Sequence, residues 1–287
     1  MSLSNPALDN AYEYCRDRVS SHYENFPVAS WLLPARLRKP ISVIYAFART
    51  ADDFADEGSL TDQQRLTALQ DYRNKLVSTA NRQPPDDPVF TALADVLQQW
   101  TLPVSLLDDL ITAFEMDITK KRFTTHAEVL HYCHYSANPV GRLLLHLFGK
   151  ATEENLKLSD HICSALQIIN FLQDIRQDYT ESNRIYLPQQ DLHHFKVTEQ
   201  HITGNISDDA MRNYIRFEIN RTRNMMLAGA PLGKYLTGRA GIEIRAIIQG
   251  GLRVLSRLEK QHDDVFSRPR LGMFDWFIIL AKAILPV

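Results

Sequence analysis

The stretch Tyr45–Gly58, YAFARTADDFADEG, decides how the rest of the chain is read. An apolar run, VIYAFA (43–48), leads into the carboxylates Asp52, Asp53, Asp56 and Glu57, and a glycine follows at once. The apolar spacing is helical, and Gly58 stands where a C-cap glycine would, so the acids occupy a helix's last turn. That end of a helix carries partial negative charge, and each acid there costs a few tenths to ~1 kcal/mol. Acids kept at the unfavourable end point to a ligand rather than to stability.

A second stretch, NFLQDIRQDY (170–179), has the same character. Asn170, Asp174 and Asp178 recur at i, i+4 and i+8, which lines them along one helix face, ~6 Å apart per step. Ile168, Ile169, Phe171, Leu172 and Ile175 surround them. Asp52 and Asp56 repeat the i, i+4 spacing in the first stretch. Facing carboxylates in apolar surroundings raise one another's pKa, and a shared divalent cation removes that cost. Oxygen ligands without His or Cys favour magnesium, which keeps waters and binds substrate phosphates as well as carboxylates. Two acidic ladders therefore predict a diphosphate site. Arg49, one turn before Asp53, and Arg184, which follows the second ladder in NRIYLP, are the candidate phosphate contacts, since arginine holds phosphate oxygens in bidentate fashion. Ion pairing with neighbouring acids is the alternative use of each. Lys120, Lys121 and Arg122, in DITKKRF (117–123), read as a solvated surface run.

Helical periodicity extends over nearly the whole chain, with helices expected near 5–21, 37–57, 61–79, 87–100, 103–118, 126–148, 153–179, 207–229, 239–262 and 272–284. Asp62 and Ser207-Asp208-Asp209 are N-terminal signals. NRQPPDDP (81–88) is the most loop-like stretch and is too short for a domain linker, so one all-helical domain over 1–287 is expected. The chain is 287 residues long and 45% hydrophobic, ample for a large core. A net charge of −2 gives no reason to expect nucleic acid as a partner. Cys15, Cys133 and Cys163 form no CxxC and fit a reducing cytoplasm. MSLSNPALDN (1–10) lacks the basic and apolar regions of a signal peptide, and no 18-residue apolar run is present. The tail FDWFIILAKAILPV (274–287) is strongly apolar but too short to span a bilayer. It reads first as a final core helix and second as a peripheral membrane contact at the inner face.

These motifs resemble those of the squalene/phytoene synthase family, the head-to-head trans-isoprenyl diphosphate synthases. The resemblance runs from ENFPVAS (24–30) to around residue 260 and rests on YAFARTADDFADE and on NFLQDIRQDY with RIYLP (184–188). It implies an all-α isoprenoid synthase bundle around a central apolar cavity, with Mg2+ as cofactor and a prenyl diphosphate as substrate. Within the family, HYENFPVAS (22–30), FARTADDFADEG (47–58), YSANPVGRLLL (135–145) and NFLQD (170–174) are most similar to the branch that makes hydroxysqualene in bacterial hopanoid synthesis. Carried over by motif, Asp52, Asp56, Asn170, Asp174 and Asp178 would be magnesium ligands, directly or through water. Arg49 would contact diphosphate, and Arg184, Tyr186 and Gly251 would meet the substrate. Phe26, Tyr45 and Tyr132 would line the cavity near the cations, with Gln173 and Asn138 completing the catalytic set.

The sequence also departs from the family pattern. Gln173 stands where many members have Arg, Gly251 where a Tyr is expected, and the link from Asp178 to Arg184 is one residue longer. Gly251 would open space or admit water. Asn138-Pro139 predicts a kink, with Asn138 or Tyr135 a candidate to place a quenching water; His131 and His134 read as core or surface residues. No G-x-G-x-x-G motif occurs. Together these features imply that presqualene diphosphate is ionised and its cation captured by water. The alternatives are joining of two prenyl diphosphates such as farnesyl diphosphate, to presqualene diphosphate, squalene or phytoene, and a non-catalytic helical assembly factor of the same fold.

Overall fold

A computed structural model of the protein describes residues 6–21, 34–261 and 263–284, the side chains of Ser20 and Ser21 excepted. The chain divides into two compact units, Met1–Thr119 with Arg142–Ala151, and Lys120–Gly141 with Thr152–Val287. The crossings at 119–120 and 151–152 fall in short connections between helices and the one at 141–142 falls inside a helix, so no long linker marks the division.

The first unit carries α1 (Pro6–Ser21), α2 (Ala35–Asp56), α3 (Asp62–Ala80), α4 (Pro88–Trp100) and α5 (Val104–Thr119). Its starts are set locally. Thr61 and Gln64 form a capping box at α3, and Asp87 accepts from the Val89 and Phe90 amides with Pro88 at the first helical position. Phe47, Tyr72 and Phe90, from α2, α3 and α4, form its aromatic centre, with ring centroids 4.9–6.0 Å apart. The buried Tyr72 hydroxyl donates to the Phe47 carbonyl at 3.1 Å. Full burial of each such ring contributes roughly 1.5–3 kcal/mol, and here it clamps the half of α2 that leads into the acids.

Helix α6 (His126–Ser136) belongs to the second unit; α7 (Asn138–Leu147) starts there and ends in the first. The expected helix 126–148 is thus interrupted at Ala137, ahead of Asn138-Pro139. The second unit continues with α8 (Glu153–Gln173), α9 (Ile175–Ser182), the short α10 (Gln189–His194) and α11 (Glu199–Thr203), and α12 (Asp209–Gly229). It ends with α13 (Leu232–Tyr235), α14 (Gly238–Leu258) and α15 (Met273–Ile284). Asp208 caps α12, accepting from the Met211 amide at 3.0 Å. Gly229 lets α12 lie directly on α8: a Cβ there would stand 2.7 Å from the Leu158 carbonyl oxygen. The expected helix 153–179 breaks at Asp174 (φ −113°, ψ 16°), which caps α8 and precedes α9.

Candidate active site

On α2, Tyr45, Arg49, Asp52 and Asp56 fall at i, i+4, i+7 and i+11 and share one face. Arg49 Nη1 donates to Asp52 Oδ2 at 2.7 Å and Nη2 to Glu57 Oε1 at 2.5 Å. Its Nε lies 2.8 Å from Asp53 Oδ1 without aiming its N–H there. Arg18, from α1, donates to the other oxygen of Asp53. The last carbonyls of the helix are served by Arg65 of α3. Its Nη1 donates to the Phe54 and Glu57 carbonyls, both at 3.2 Å, and its Nη2 to that of Gly58 at 2.9 Å. Three arginines thus answer the cost of acids at this helix end. Asp52, Asp53 and Glu57 each meet an arginine, and Asp56 is exposed. The Asp52 carboxyl is pushed up to about 6, chiefly by burial, against the pull of Arg49 and with Asp56, Asp117 and Asp53 adding repulsion. The pairing alternative for Arg49 is therefore what the structure records, and Asp117 of α5 is an acidic neighbour that motif reading passes over.

The second ladder keeps its register through the break. The Asp174 amide donates to the Asn170 carbonyl at 2.9 Å and the Asp178 amide to that of Asp174 at 2.8 Å, the i→i−4 pattern. Asn170 is exposed, and Asp174 and Asp178 are partly exposed. Arg268, between α14 and α15, brings its Nε within 3.1 Å of Asp174 Oδ1, an oxygen that is buried and accepts no aimed hydrogen bond. Burial raises the Asp174 carboxyl and Arg268 lowers it. Arg268 is the basic group that sequence reading missed; only the terse SRPR run hints at it. Gln173 Nε2 donates to the Pro269 carbonyl in a long bond of 3.5 Å.

Between Asp178 and Arg184 the chain turns at Asn183, which takes the left-handed conformation (φ 50°). The Arg184 amide then folds back to the Asp178 carbonyl at 3.0 Å, and Arg184 is buried. The strip after it lies along residues 120–124, with the Ile185 amide on the Lys121 carbonyl and the Gln189 amide on that of Phe123. Phe123, Tyr132, Phe171 and Tyr186 form an aromatic cluster here, Phe171 and Tyr186 being stacked with centroids 3.8 Å apart. Tyr132 and Tyr186 are buried within it, so their faces are filled by other rings.

Other expectations change. DITKKRF does not form a free solvated run. Lys120 pairs with Glu128 at 2.8 Å over the Phe123 ring, and Arg122 binds Glu199 at 2.8 Å and the Asn183 carbonyl. Gly251 opens no space: a Cβ there would lie 2.7 Å from Met226 Cε and 3.2 Å from Ile169 Cδ1, because α8 and α12 already fill the site. Asn138 is buried, and its Oδ1 accepts from Ser164 Oγ at 2.9 Å, tying the α6–α7 break to α8. His131 and His134 are exposed and stack edge-on against Tyr135. Phe26 lies outside the described residues.

Among the described residues, no three His, Cys, Asp or Glu side chains converge as a closed metal cage. Magnesium does not need one, since one or two carboxylates with waters and phosphate suffice. The raised Asp52 and the unsatisfied buried oxygen of Asp174 fit such a cation, each on its own ladder.

The model of the family described as squalene/phytoene synthase matches residues 19–275. A protein named hydroxysqualene synthase, from Rhodopseudomonas palustris, is 35% identical over 256 residues, 89% of this chain and 86% of its own. The crystal structure of squalene synthase HpnC from Alicyclobacillus acidocaldarius superposes with a TM-score of 0.85 at 33% identity, covering 91% of this chain and 97% of that one. A dehydrosqualene synthase structure, at 22% identity and a TM-score of 0.84 over 96% of both chains, has the same fold. The chain belongs to the squalene/phytoene synthase family, and it is a prenyl diphosphate-converting enzyme with that family's all-α isoprenoid synthase fold.

Proposed function

We propose that the protein is a hydroxysqualene synthase, a single synthase domain over the whole chain that converts presqualene diphosphate to hydroxysqualene for hopanoid synthesis. The observation that carries the ionisation step is the state of the ladder acids. Asp52 is driven up by burial and neighbouring acids, and Asp174 keeps a buried oxygen without a hydrogen bond. Such oxygens gain most from a divalent cation and its diphosphate. Likeness to relatives named hydroxysqualene synthase supports the choice of branch.

Asp52 and Asp56 on one ladder, and Asn170, Asp174 and Asp178 on the other, would hold Mg2+. When bound, Mg2+ would stabilise the charge of the leaving diphosphate. Arg184 and Arg268 supply cationic donors for phosphate oxygens, and Arg49 keeps Asp52 oriented while remaining available to the diphosphate. The substrate's C–O bond breaks and diphosphate takes the electron pair. The cyclopropylcarbinyl cation rearranges, one water oxygen bonds to it, and a proton leaves. Tyr45, on the face of α2 that carries Asp52 and Asp56, would offer its ring to a cation without trapping it, whereas Tyr132 and Tyr186, packed on other rings, would back the apolar wall beside the second ladder. Gln173 replaces a cation with a neutral amide beside Asp174. Asn138 acts by fixing the α6–α7 break on α8. The reading places the enzyme in the cytoplasm at the inner face of the membrane, where prenyl chains dissolve.

Incubating the pure protein with magnesium and presqualene diphosphate in oxygen-18 water, without nicotinamide, tests this. The expected result is a C30 alcohol carrying one label, with release of diphosphate, stopped by EDTA without loss of helical signal. Squalene formed only with reduced nicotinamide, or turnover of farnesyl diphosphate alone, would move the protein to another branch.

A further inference from the structure

Helix α15 turns its apolar side away from the protein. Asp275, Ile279 and Ala283, at i, i+4 and i+8, are buried, and the helix packs on α14. Met273, Phe277, Leu280 and Ile284, on the opposite side, are 78, 67, 44 and 65% exposed. Phe274 and Trp276 widen that side and are 83 and 54% exposed. The acid of the helix is sealed inside. Asp275 accepts from Arg253 Nε at 2.5 Å, Arg257 Nη2 at 2.8 Å and the Gly272 amide at 2.7 Å. This clasp orients the helix and leaves its aromatic side uncovered.

The geometry points to an anionic lipid surface as what covers α15. It deepens the membrane-face reading above and does not depend on which reaction the enzyme runs. From residue 268 to 284 the exposed charges are Arg268, Arg270 and Lys282, all cationic, and the acid of the segment is buried. Aromatic and aliphatic bulk beside Arg and Lys is the composition of a helix lying in a headgroup layer. A second copy of the chain fits less well. A 12-residue helix is about 18 Å long, and one side of it offers a few hundred Å2 at most, against roughly 800 Å2 per partner in a stable interface. The segment leading into α15 is also the one at the second ladder, with Arg268 beside Asp174 and the Pro269 carbonyl bonded to Gln173. A bilayer holding α15 is therefore held close to the Asp174 end. A prenyl diphosphate, itself amphiphilic, would transfer from bilayer to ladder without crossing bulk water.

Flotation of the full chain with phosphatidylcholine vesicles, with and without 30 mol% phosphatidylglycerol (about the anionic fraction that gives a strong surface potential), provides the test. No substrate is needed, so failure of the reaction assignment leaves this readout untouched. The wild-type chain should float with anionic vesicles, and its Trp fluorescence should shift to the blue. Trp276→Ser with Phe277→Ser, both exposed positions, should lower partitioning tenfold or more while keeping helical signal and turnover of detergent-dispersed substrate. Arg270→Glu with Lys282→Glu should remove the preference for anionic vesicles. Equal flotation of wild type and the Trp276/Phe277 variant would overturn the proposal. So would a wild-type dimer without lipid that the same variant converts to monomer, which would give the face to a second copy.

Discussion

The two acidic ladders solve one electrostatic problem by different means. The first lies on an unbroken helix, and most of its counter-charge comes from close by: Arg49 from within α2, Arg65 from the next helix, Arg18 from α1. The second runs through a break at Asp174, and its cation, Arg268, comes from a loop ninety-four positions further on (174 to 268). A braced ladder holds its acids in place whatever is bound. A ladder balanced by a half-exposed loop arginine, 47% open to solvent, can exchange that partner for a ligand.

The sharpest way to break this comparison uses adjacent residues. Asp52→Asn and Asp174→Asn should each lower turnover by about a thousandfold or more, as expected when an anchor for metal-bound leaving-group charge is lost. Neither should reduce thermal stability, because a group raised by burial costs less when neutral. Asp53→Ala should behave in the opposite sense. Arg18 and Arg49 lose a partner, and stability should fall by about 1–3 kcal/mol, with activity reduced far less than in Asp52→Asn. Melting curves beside initial rates separate the cases. Equal rate loss at positions 52 and 53 would erase the proposed division of labour.

Arg268→Ala should follow in size. A charge-assisted contact to a phosphate is worth about 1.5–3 kcal/mol, so kcat/KM should fall roughly ten- to a hundredfold. Most of the change should appear in KM, and Arg268→Lys should recover part of it. An unchanged KM would assign Arg268 to bracing Asp174 alone.

Why one arginine was visible in the sequence and the other was not is a matter of distance along the chain. The bounds of the long helices were legible to within a few residues, since the 3.6-residue period and caps such as Asp208 act locally, although α3 is capped by Thr61 and not by the Asp62 that the sequence suggested. The ladders were legible for the same reason. The break at Ala137 is announced by Asn138-Pro139, but the one at Asp174 has no Gly or Pro to betray it. Arg18, Asp117 and Arg268 meet the ladders through tertiary packing, which no local spacing encodes. The Lys120–Arg122 run looked solvated because Glu128 and Glu199 are brought to it by the fold. α15 looked like a core helix because it is apolar almost all round, and only the inward position of Asp275 reveals which side is left uncovered.

Gly251 sharpens the comparison on the packing side. A Cβ there meets the flexible end of Met226 and, more loosely, Ile169 and Leu166, while alanine favours the helix by roughly 0.5–1 kcal/mol, so Gly251→Ala should change stability by less than about 1 kcal/mol, with the product spectrum unchanged. A bulkier residue accepted there without loss of melting temperature would reinstate an open site.

The most local effect concerns α15. The Asp275 carboxyl is held at about 2, first by the Gly272 amide and then by Arg253 and Arg257. In the unfolded chain it should titrate near the usual value of about 3.9. The folded pKa is the lower of the two, so Asp275 contributes stability that is fully present above about pH 4 and disappears as pH falls through about 2. The gap in stability between wild type and Asp275→Asn should therefore be constant near neutrality and shrink across that window. The same substitution leaves Arg253 and Arg257 without their shared acid, which loosens α15 from α14 before the rest of the second unit melts. Hydrogen exchange of the 273–284 amides in both proteins, at pH 6 and at pH 3, reads this directly. Faster exchange confined to α15 in the variant at pH 6, with the difference reduced at pH 3, is the expected pattern. Equal exchange of α15 in the two proteins at pH 6 would mean that the helix is held by its apolar contacts, Ile279 and Ala283, and not by the clasp.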